Sequence, residues 1–309
     1  MSAANTAEFT APTARSKTGN RSGVSFTWLQ AAPLTLVFLA FFVIPLALTI
    51  MISFWDYNEY EILPAFTFNN YVTVFEGCSN VEELCTTFKT YLSTLKFSLI
   101  VWVSTLLIGF TVAYFLAFHV RSLSIQIALF LLCTIPFWTS NVIRMIAWVP
   151  LLGRNGLVNQ TLISAGLIDE PIEWLLFSDF SVVLAFVHLY TLFMIVPIFN
   201  SMMRIDPSLL EAARDAGASG WQTVWHVVLP LCRTGIIIGS IFVITIVMGD
   251  FVTIGVMGGQ QIASVGKIIQ VQTNYLQFPL AAANAVLLLI VVLMIIVALT
   301  RLVNIRREL

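Results

Sequence analysis

Ile205 to Pro230 read IDPSLLEAARDAGASGWQTVWHVVLP, a stretch dense in helix-start and helix-stop residues. Asp206 followed by Pro207 signals a helix start: the carboxylate accepts from exposed N–H groups, and proline has no N–H to leave unpaired. Ser208 to Ala216 is rich in helix formers and stops at Gly217, a residue suited to the left-handed conformation that closes a helix. Ser219 with Gln222 three residues later makes a capping box for a second helix. There Trp221, Val224, Trp225 and Val228 fall on one face by helical spacing, and Pro230 is expected to end the element. The reading is two short helices joined at a glycine turn.

This hairpin lies between long charge-free runs. The 309 residues are 59% hydrophobic and only 10% charged, with a mean hydropathy of +0.92. A soluble domain carries roughly a quarter charged residues, so a soluble α/β enzyme is excluded, as is global disorder. Runs without Asp, Glu, Lys or Arg cover 22–55, 97–120, 122–143, 180–203, 234–249 and 268–300. A bilayer core needs roughly 20 apolar residues in helical form. Six transmembrane helices are therefore expected near 28–54, 92–118, 123–150, 180–203, 235–256 and 279–303. The Gly-rich run 251–266 reads as a loop or a broken helix end. A porin-like barrel would need short alternating segments instead. The fold class is all-α, a polytopic membrane protein.

Basic residues orient the spans. Arg15, Lys17, Arg21, Arg121, Arg204, Arg214, Arg233, Arg301, Arg306 and Arg307 fall on one side, against Lys89, Arg154 and Lys267 on the other. Both termini and the hairpin are thus expected in the cytoplasm. The expected organisation is a disordered tail over 1–27, a membrane domain over 28–303 and a short tail over 304–309. The membrane domain includes an outer loop at 56–90 and the hairpin loop at 204–233. On this layout the cytoplasmic segments carry ten basic and five acidic residues, and the outer segments three basic and ten acidic. The formal net charge of −1 hides that separation, and it argues against a nucleic-acid partner. An acidic outer face attracts cationic solutes or docking partners.

Cys78 and Cys85 are the only close cysteine pair. On the oxidising side of a membrane they can form a disulfide, the alternative being two free thiols. Cys133 and Cys232 read as packing residues. In the third span Pro136 interrupts the backbone ladder, followed by Trp138, Asn141 and Arg144. Arg144 reads either as an interfacial residue that snorkels or as part of a polar pathway, the first being favoured by Pro150 and Gly153 close by. Asp250 is the one carboxylate set against the charge-free core of a span. It reads as a cation contact or gate, or as an ion-paired or helix-terminal residue. Tyr190, Trp138 and Asn141 are weaker pathway candidates, and His188 reads as bonded to a neighbouring helix. No P-loop occurs: Gly266-Lys267 is followed by Ile268, and Gln261 stands where that motif needs glycine. No metalloprotease, serine-hydrolase or Cys/His metal motif is present.

Glu211-Ala212-Ala213, three residues, Gly217, nine residues, then Val227-x-Leu229-Pro230 resembles the EAA signature of ABC-importer permeases, with Val227 where the family usually has Ile. Within that family the chain is similar to spermidine/putrescine permease subunits. The similarity lies at Pro136 to Arg144, Leu210 to Gly217, Gly249 to Val252, and Met257 to Gly266. The outer loop with Cys78 and Cys85 and the N-terminal tail are outside it. The resemblance implies a type I ABC-importer permease fold in a bacterial inner membrane, with a second, homologous but different permease chain completing the pore. It further implies two ATP-binding subunits, which hold ATP and Mg2+, and an external substrate-binding protein; this chain itself binds no cofactor and is not an enzyme. Glu211 and Gly217 are then signature positions of a cytoplasmic coupling-helix hairpin shaped by Ala212, Ala213, Leu229 and Pro230. Ala218, Ser219, Trp221 and Gln222 are expected to touch the ATPase, with Glu211 and Arg214 as polar neighbours. A polyamine suits carboxylates and aromatic faces. Opines, thiamine and ferric ions are the rival cargoes, and an ion-coupled secondary transporter is the rival class.

Overall fold

The computed structural model describes residues 31–58, 61–76, 78, 85–259 and 261–301. The tails expected over 1–27 and 304–309 lie outside these residues. The chain divides into two compact units, 1–48 and 49–309. The described part of the first is helical and belongs to the apolar helix α1 (Ala31–Ile52). Within α1 a π-turn occupies Leu39–Val43, closed by the Ile44 N–H bonding to the Leu39 carbonyl. Proline at 45 has no N–H and its ring crowds the carbonyl four residues back, so a widened turn just before it relieves both problems.

The second unit opens on a hairpin, β1 (Asp56–Tyr57) against β2 (Ile62–Leu63), and a short helix α2 (Asn69–Val74). Asn70 is buried and donates to the Ser53 and Trp55 carbonyls at 3.0 and 2.7 Å, tying α2 to the chain entering the hairpin. Cys78 and Cys85 are joined by a disulfide, with Cα atoms 4.6 Å apart. Helix α3 (Thr86–Phe118) follows, so the outer loop expected over 56–90 gives way to helix at Thr86. Then come α4 (Leu123–Thr134), extended by a 3-10 turn at Ile135–Trp138, α5 (Asn141–Ile146), α6 (Val149–Leu152) and α7 (Leu157–Ser164). Helix α8 (Asp179–Met202), the hairpin helices α9 (Pro207–Asp215) and α10 (Gly220–Thr223), α11 (Arg233–Gly249), α12 (Val252–Met257), α13 (Val265–Asn274) and α14 (Phe278–Arg301) complete the order.

Four stretches, Ala31–Ile52, Thr86–Phe118, Glu173–Met202 and Phe278–Arg301, are long and apolar enough to cross a bilayer, and six are reached if each of two bent pairs counts as one span. The span expected over 123–150, with Pro136 interrupting it, is bent by 91° between Leu123–Trp138 and Asn141–Ser164. Pro136 starts that break, as its missing donor predicts. The span expected over 235–256 stops at Gly249, and a new short helix starts at Val252.

Helices α3, α8 and α11 pack mutually around Val101, Phe186, Met194, Ile198 and Val243, all buried. Lipid tails are as apolar as these side chains, so close packing and interhelical hydrogen bonds hold such helices together rather than burial from water. Glycine provides the approach. A Cβ at Gly109 of α3 would lie 2.9 Å from Met194 Cγ, and one at Gly239 of α11 would lie 2.7 Å from its Sδ. At Gly235 the obstacle is backbone, with the Pro197 carbonyl oxygen at 2.4 Å. Trp102 of α3 donates to the Ser240 hydroxyl of α11 at 2.7 Å. At the far edge, α14 carries α2 on Leu280 and Ala283.

Because a carbonyl cannot move aside like a side-chain tip, Gly235→Ala should destabilise the protein by about 1–3 kcal/mol. Gly220→Ala, whose added Cβ meets nothing within 4 Å, should be near neutral. Thermal melting of the detergent-solubilised protein checks the contrast, and equal melting temperatures would refute it.

Candidate functional site

Two constellations gather polar and aromatic side chains. The first is the Asp206–Leu231 hairpin. The Ser208 N–H donates to Asp206 Oδ1 at 2.9 Å. That bond, reinforced by the Ser208 hydroxyl, holds the Asp206 carboxyl below its usual range, so a negative charge stays at the start of α9, where the helix dipole favours it. At the other end the Ala218 N–H reaches the Ala213 carbonyl at 3.0 Å and the Gly217 N–H reaches Arg214 at 2.9 Å. Gly217 has φ +81°. This bond pair with a left-handed residue is the Schellman closure that glycine accommodates without strain. Ser219 and Gln222 form the expected capping box, at 3.3 and 2.8 Å.

The hairpin departs from expectation in its second helix. After α10 the backbone widens into a π-turn over Val224–Val228, closed from the Leu229 N–H to the Val224 carbonyl, and helix resumes through Leu231. Pro230 therefore does not end the element. It sits inside it behind a π-turn, as Pro45 does in α1, and the sharp 70° bend comes after Leu231. The extra residue per turn also splits the predicted face. Val228 is fully buried, while Trp221 and Trp225 are 70% and 51% exposed with rings edge to face at 5.7 Å. Glu211, Ala212, Arg214, Gly217, Ser219, Gln222 and Pro230 are exposed; Ala213, Ala218 and Leu229 are half-buried. An exposed tryptophan pair on the same hairpin as exposed Glu211, Arg214 and Gln222 has the composition that protein interfaces favour.

The second constellation forms where α5, α8 and α12 pack together. Asp250 follows the last residue of α11. Its Oδ1 accepts the Thr253 N–H at 2.8 Å and its Oδ2 the Thr253 hydroxyl at 2.7 Å. The Tyr190 hydroxyl, from α8, also donates to Oδ2. Among the described residues the ion pairs are Lys96–Asp179 and Arg154–Glu173. Asp250 is in neither, so of its structural readings the helix-terminal one matches the geometry. Arg144 donates to Asn141 Oδ1, has a buried Nε without a partner, and interacts electrostatically with Tyr190 and His188. Arg144 thus belongs to this polar group. Trp148 Nε1 donates to His188 Nδ1 at 3.1 Å, the neighbouring-element bond expected for His188.

Of the pathway candidates, Asn141, Tyr190 and Asp250 come together. Trp138 does not: it is 85% exposed, while its neighbour Phe137 packs edge to face on Phe193 of α8. Thr253 and Trp148 were not anticipated. Asp250 followed three residues later by Thr253 is a local side-chain-to-backbone capping pattern that pointed to the first; the Trp148 contact spans 40 residues and has no sequence signal. The break at Asp250 is clamped from behind, since a Cβ at Gly266 would lie 2.8 Å from the Gly249 carbonyl oxygen. The Val265 N–H bonds Thr94 Oγ1 at 3.1 Å, and Ser181 Oγ bonds the Met257 carbonyl at 2.9 Å.

The family model described as binding-protein-dependent transport system inner membrane component matches residues 105–307. The chain is 35% identical to the spermidine/putrescine transport system permease protein PotB of Escherichia coli (strain K12) over 229 residues, 72% of this chain and 81% of that protein. Against PotB of Salmonella typhimurium (strain SL1344) it is 35% identical over 210 residues, 68% of this chain and 72% of that one. Against PotB of Haemophilus influenzae it is 31% identical over 249 residues, 80% of each. Its fold is similar to a crystal structure of a bacterial alginate ABC transporter in complex with an alginate pentasaccharide-bound periplasmic protein. That match has a TM-score of 0.73 at 19% identity and covers 92% of this chain and 96% of that one.

Tyr190→Phe removes the one donor that reaches Asp250 from another long helix. It should cost about 1–2 kcal/mol, the upper range for interhelical hydrogen bonds in membranes. Thermal melting beside wild type measures it, and an unchanged midpoint would mean the bond adds nothing to stability.

Proposed function

The chain belongs to the family of binding-protein-dependent transport system inner membrane components, and from that premise we propose that it forms half of the pore of an ATP-driven polyamine importer. It is an ABC-importer permease and a membrane protein. The polyamine reading rests on 31–35% identity to spermidine/putrescine permeases over most of the membrane region. In this proposal a second, homologous permease chain completes the pore, two ATP-binding subunits hold ATP and Mg2+, and an external binding protein delivers cargo. The chain lies in a bacterial inner membrane with both termini in the cytoplasm.

The physical route is short. The Glu211–Pro230 loop takes the push of the ATPase through its exposed tryptophans and polar neighbours. Its two ends continue into α8 and α11, so the push moves those helices against each other. The Tyr190–Asp250 bond spans that same pair of helices, at Tyr190 and just past the end of α11. A sliding of α8 on α11 exchanges the tyrosine hydroxyl at Asp250 for an ammonium of the cargo. Asn141 holds Arg144, keeping a cation that repels the cargo on the α5 side while Asp250 attracts it.

Asp250→Asn should lower uptake at limiting polyamine about ten-fold, roughly 1.4 kcal/mol, without abolishing complex assembly. Unchanged radiolabelled uptake would remove Asp250 from the pathway.

Glu211→Ala or Gly217→Asp should weaken association with the ATPase or uncouple hydrolysis. The second also forces a side chain into φ +81°, a strain of about 1–2 kcal/mol. A mutant complex with full substrate-stimulated hydrolysis and transport would overturn the coupling role.

A further inference from the structure

A cavity of about 730 Å³ opens between the hairpin end of α8 and the start of α11, within the size range of small-molecule sites. Its lining is graded. At depth in the two spans it is walled by Val196, Pro197 and Ile238; towards the hairpin come Asn200, Ser201 and Thr234, and at its mouth Arg204. On α8 Val196 and Asn200 lie one turn apart on one face, and Arg204 follows in the turn just past the end of the helix, so the wall runs apolar, then amide, then cation. Antiparallel to it, α11 runs from Thr234 down to Ile238. Two helices therefore present the same gradient to one cavity, and that gradient matches an amphiphile with its tail in the bilayer and its head at the surface.

Charge selects the head. Arg204 is exposed and takes part in neither ion pair found among the described residues. The carboxylate that shares the cavity mouth, Asp206, is already committed to the Ser208 N–H at the start of α9. Arginine offers planar, paired donors that suit a phosphate. Ile238 and Leu231 are 41% and 44% exposed, so the cavity has an open side from which a chain can enter.

We propose that this cavity is a binding site for an anionic phospholipid, with the acyl chain against Val196, Pro197 and Ile238 and the phosphate on Arg204. Asp206 and Leu209 belong both to the cavity wall and to the start of the hairpin, so an occupied site braces the hairpin against α8 and α11. The inference depends on the membrane location of the chain and not on the identity of its cargo.

The test uses the assembled transporter in nanodiscs of phosphatidylcholine, with or without phosphatidylglycerol, doped with a photoactivatable analogue of either lipid. The phosphatidylglycerol probe should label peptides containing 196–209 and 231–238, and the phosphatidylcholine probe should label them weakly. Arg204→Gln should reduce that labelling about five-fold, the worth of one basic contact with an anionic surface, while Arg204→Lys retains most of it. Ile238→Trp, which fills the cavity, should also reduce it. Equal labelling by the two lipids, or full labelling in Arg204→Gln, would overturn the proposal, as would cross-links showing the second permease chain seated in the cavity. Labelling needs no transport, so failure here is separable from failure of the polyamine reading.

Discussion

Met194 sits between Gly109 of α3 and Gly239 of α11, and one turn on, the Pro197 carbonyl meets Gly235. These approaches bring three helices together, with the Met194 side chain filling the space that Gly109 and Gly239 leave and backbone meeting backbone at Gly235. In hydrocarbon this matters more than in water, because apolar burial distinguishes poorly between a neighbouring helix and a lipid. Once α8 and α11 are held at Met194 and Pro197, their ends are positioned together as well. One pair of ends carries the Glu211 hairpin, and at the other end of α11 Asp250 meets Tyr190 midway along α8. The cavity beside Arg204 is what remains where the same two helices diverge.

Several departures from straight helix have an identifiable backbone cause. Pro45 and Pro230 are each preceded by one helical residue and a π-turn, and Pro136 lies in a 3-10 turn at the edge of a 91° bend. Freed backbone groups at membrane depth need partners. After Gly249 the break is stabilised by Asp250 bonding to Thr253, by Gly266 closing against it, and by Thr94 and Ser181 holding the following segment. The polar residues here are therefore part of the helix-ending machinery, with Thr94, Ser181 and Thr253 buried and Asp250 half-buried.

The hairpin was the most legible part of the chain. Its signals are local: Asp206 with Pro207, Gly217, and Ser219 with Gln222 each act within one turn, so sequence and structure agree closely. The face of the second helix was not legible in the same way, because helical spacing assumes 3.6 residues per turn and the π-turn shifts Val228 away from Trp221 and Trp225. For the polar cluster, residue type singled out Asp250, Tyr190 and Asn141. It also singled out Trp138, which the structure places outside that cluster, exposed beside a helix break. Arg144 was read mainly as an interfacial residue, because its proximity to Tyr190 and His188 depends on a bend that composition does not encode.

By itself the sequence determined that the chain is a helical membrane protein, where its apolar runs lie, how its hairpin is capped and which family signature it carries. These properties depend on composition, charge spacing and contacts within a turn. Only the tertiary structure decided that Tyr190 reaches Asp250 across 60 residues, that Met194 locks two helices, and that Arg204 stands at the mouth of an apolar cavity. Those contacts join residues far apart in the chain, and their geometry is set by how closely glycine lets two backbones approach.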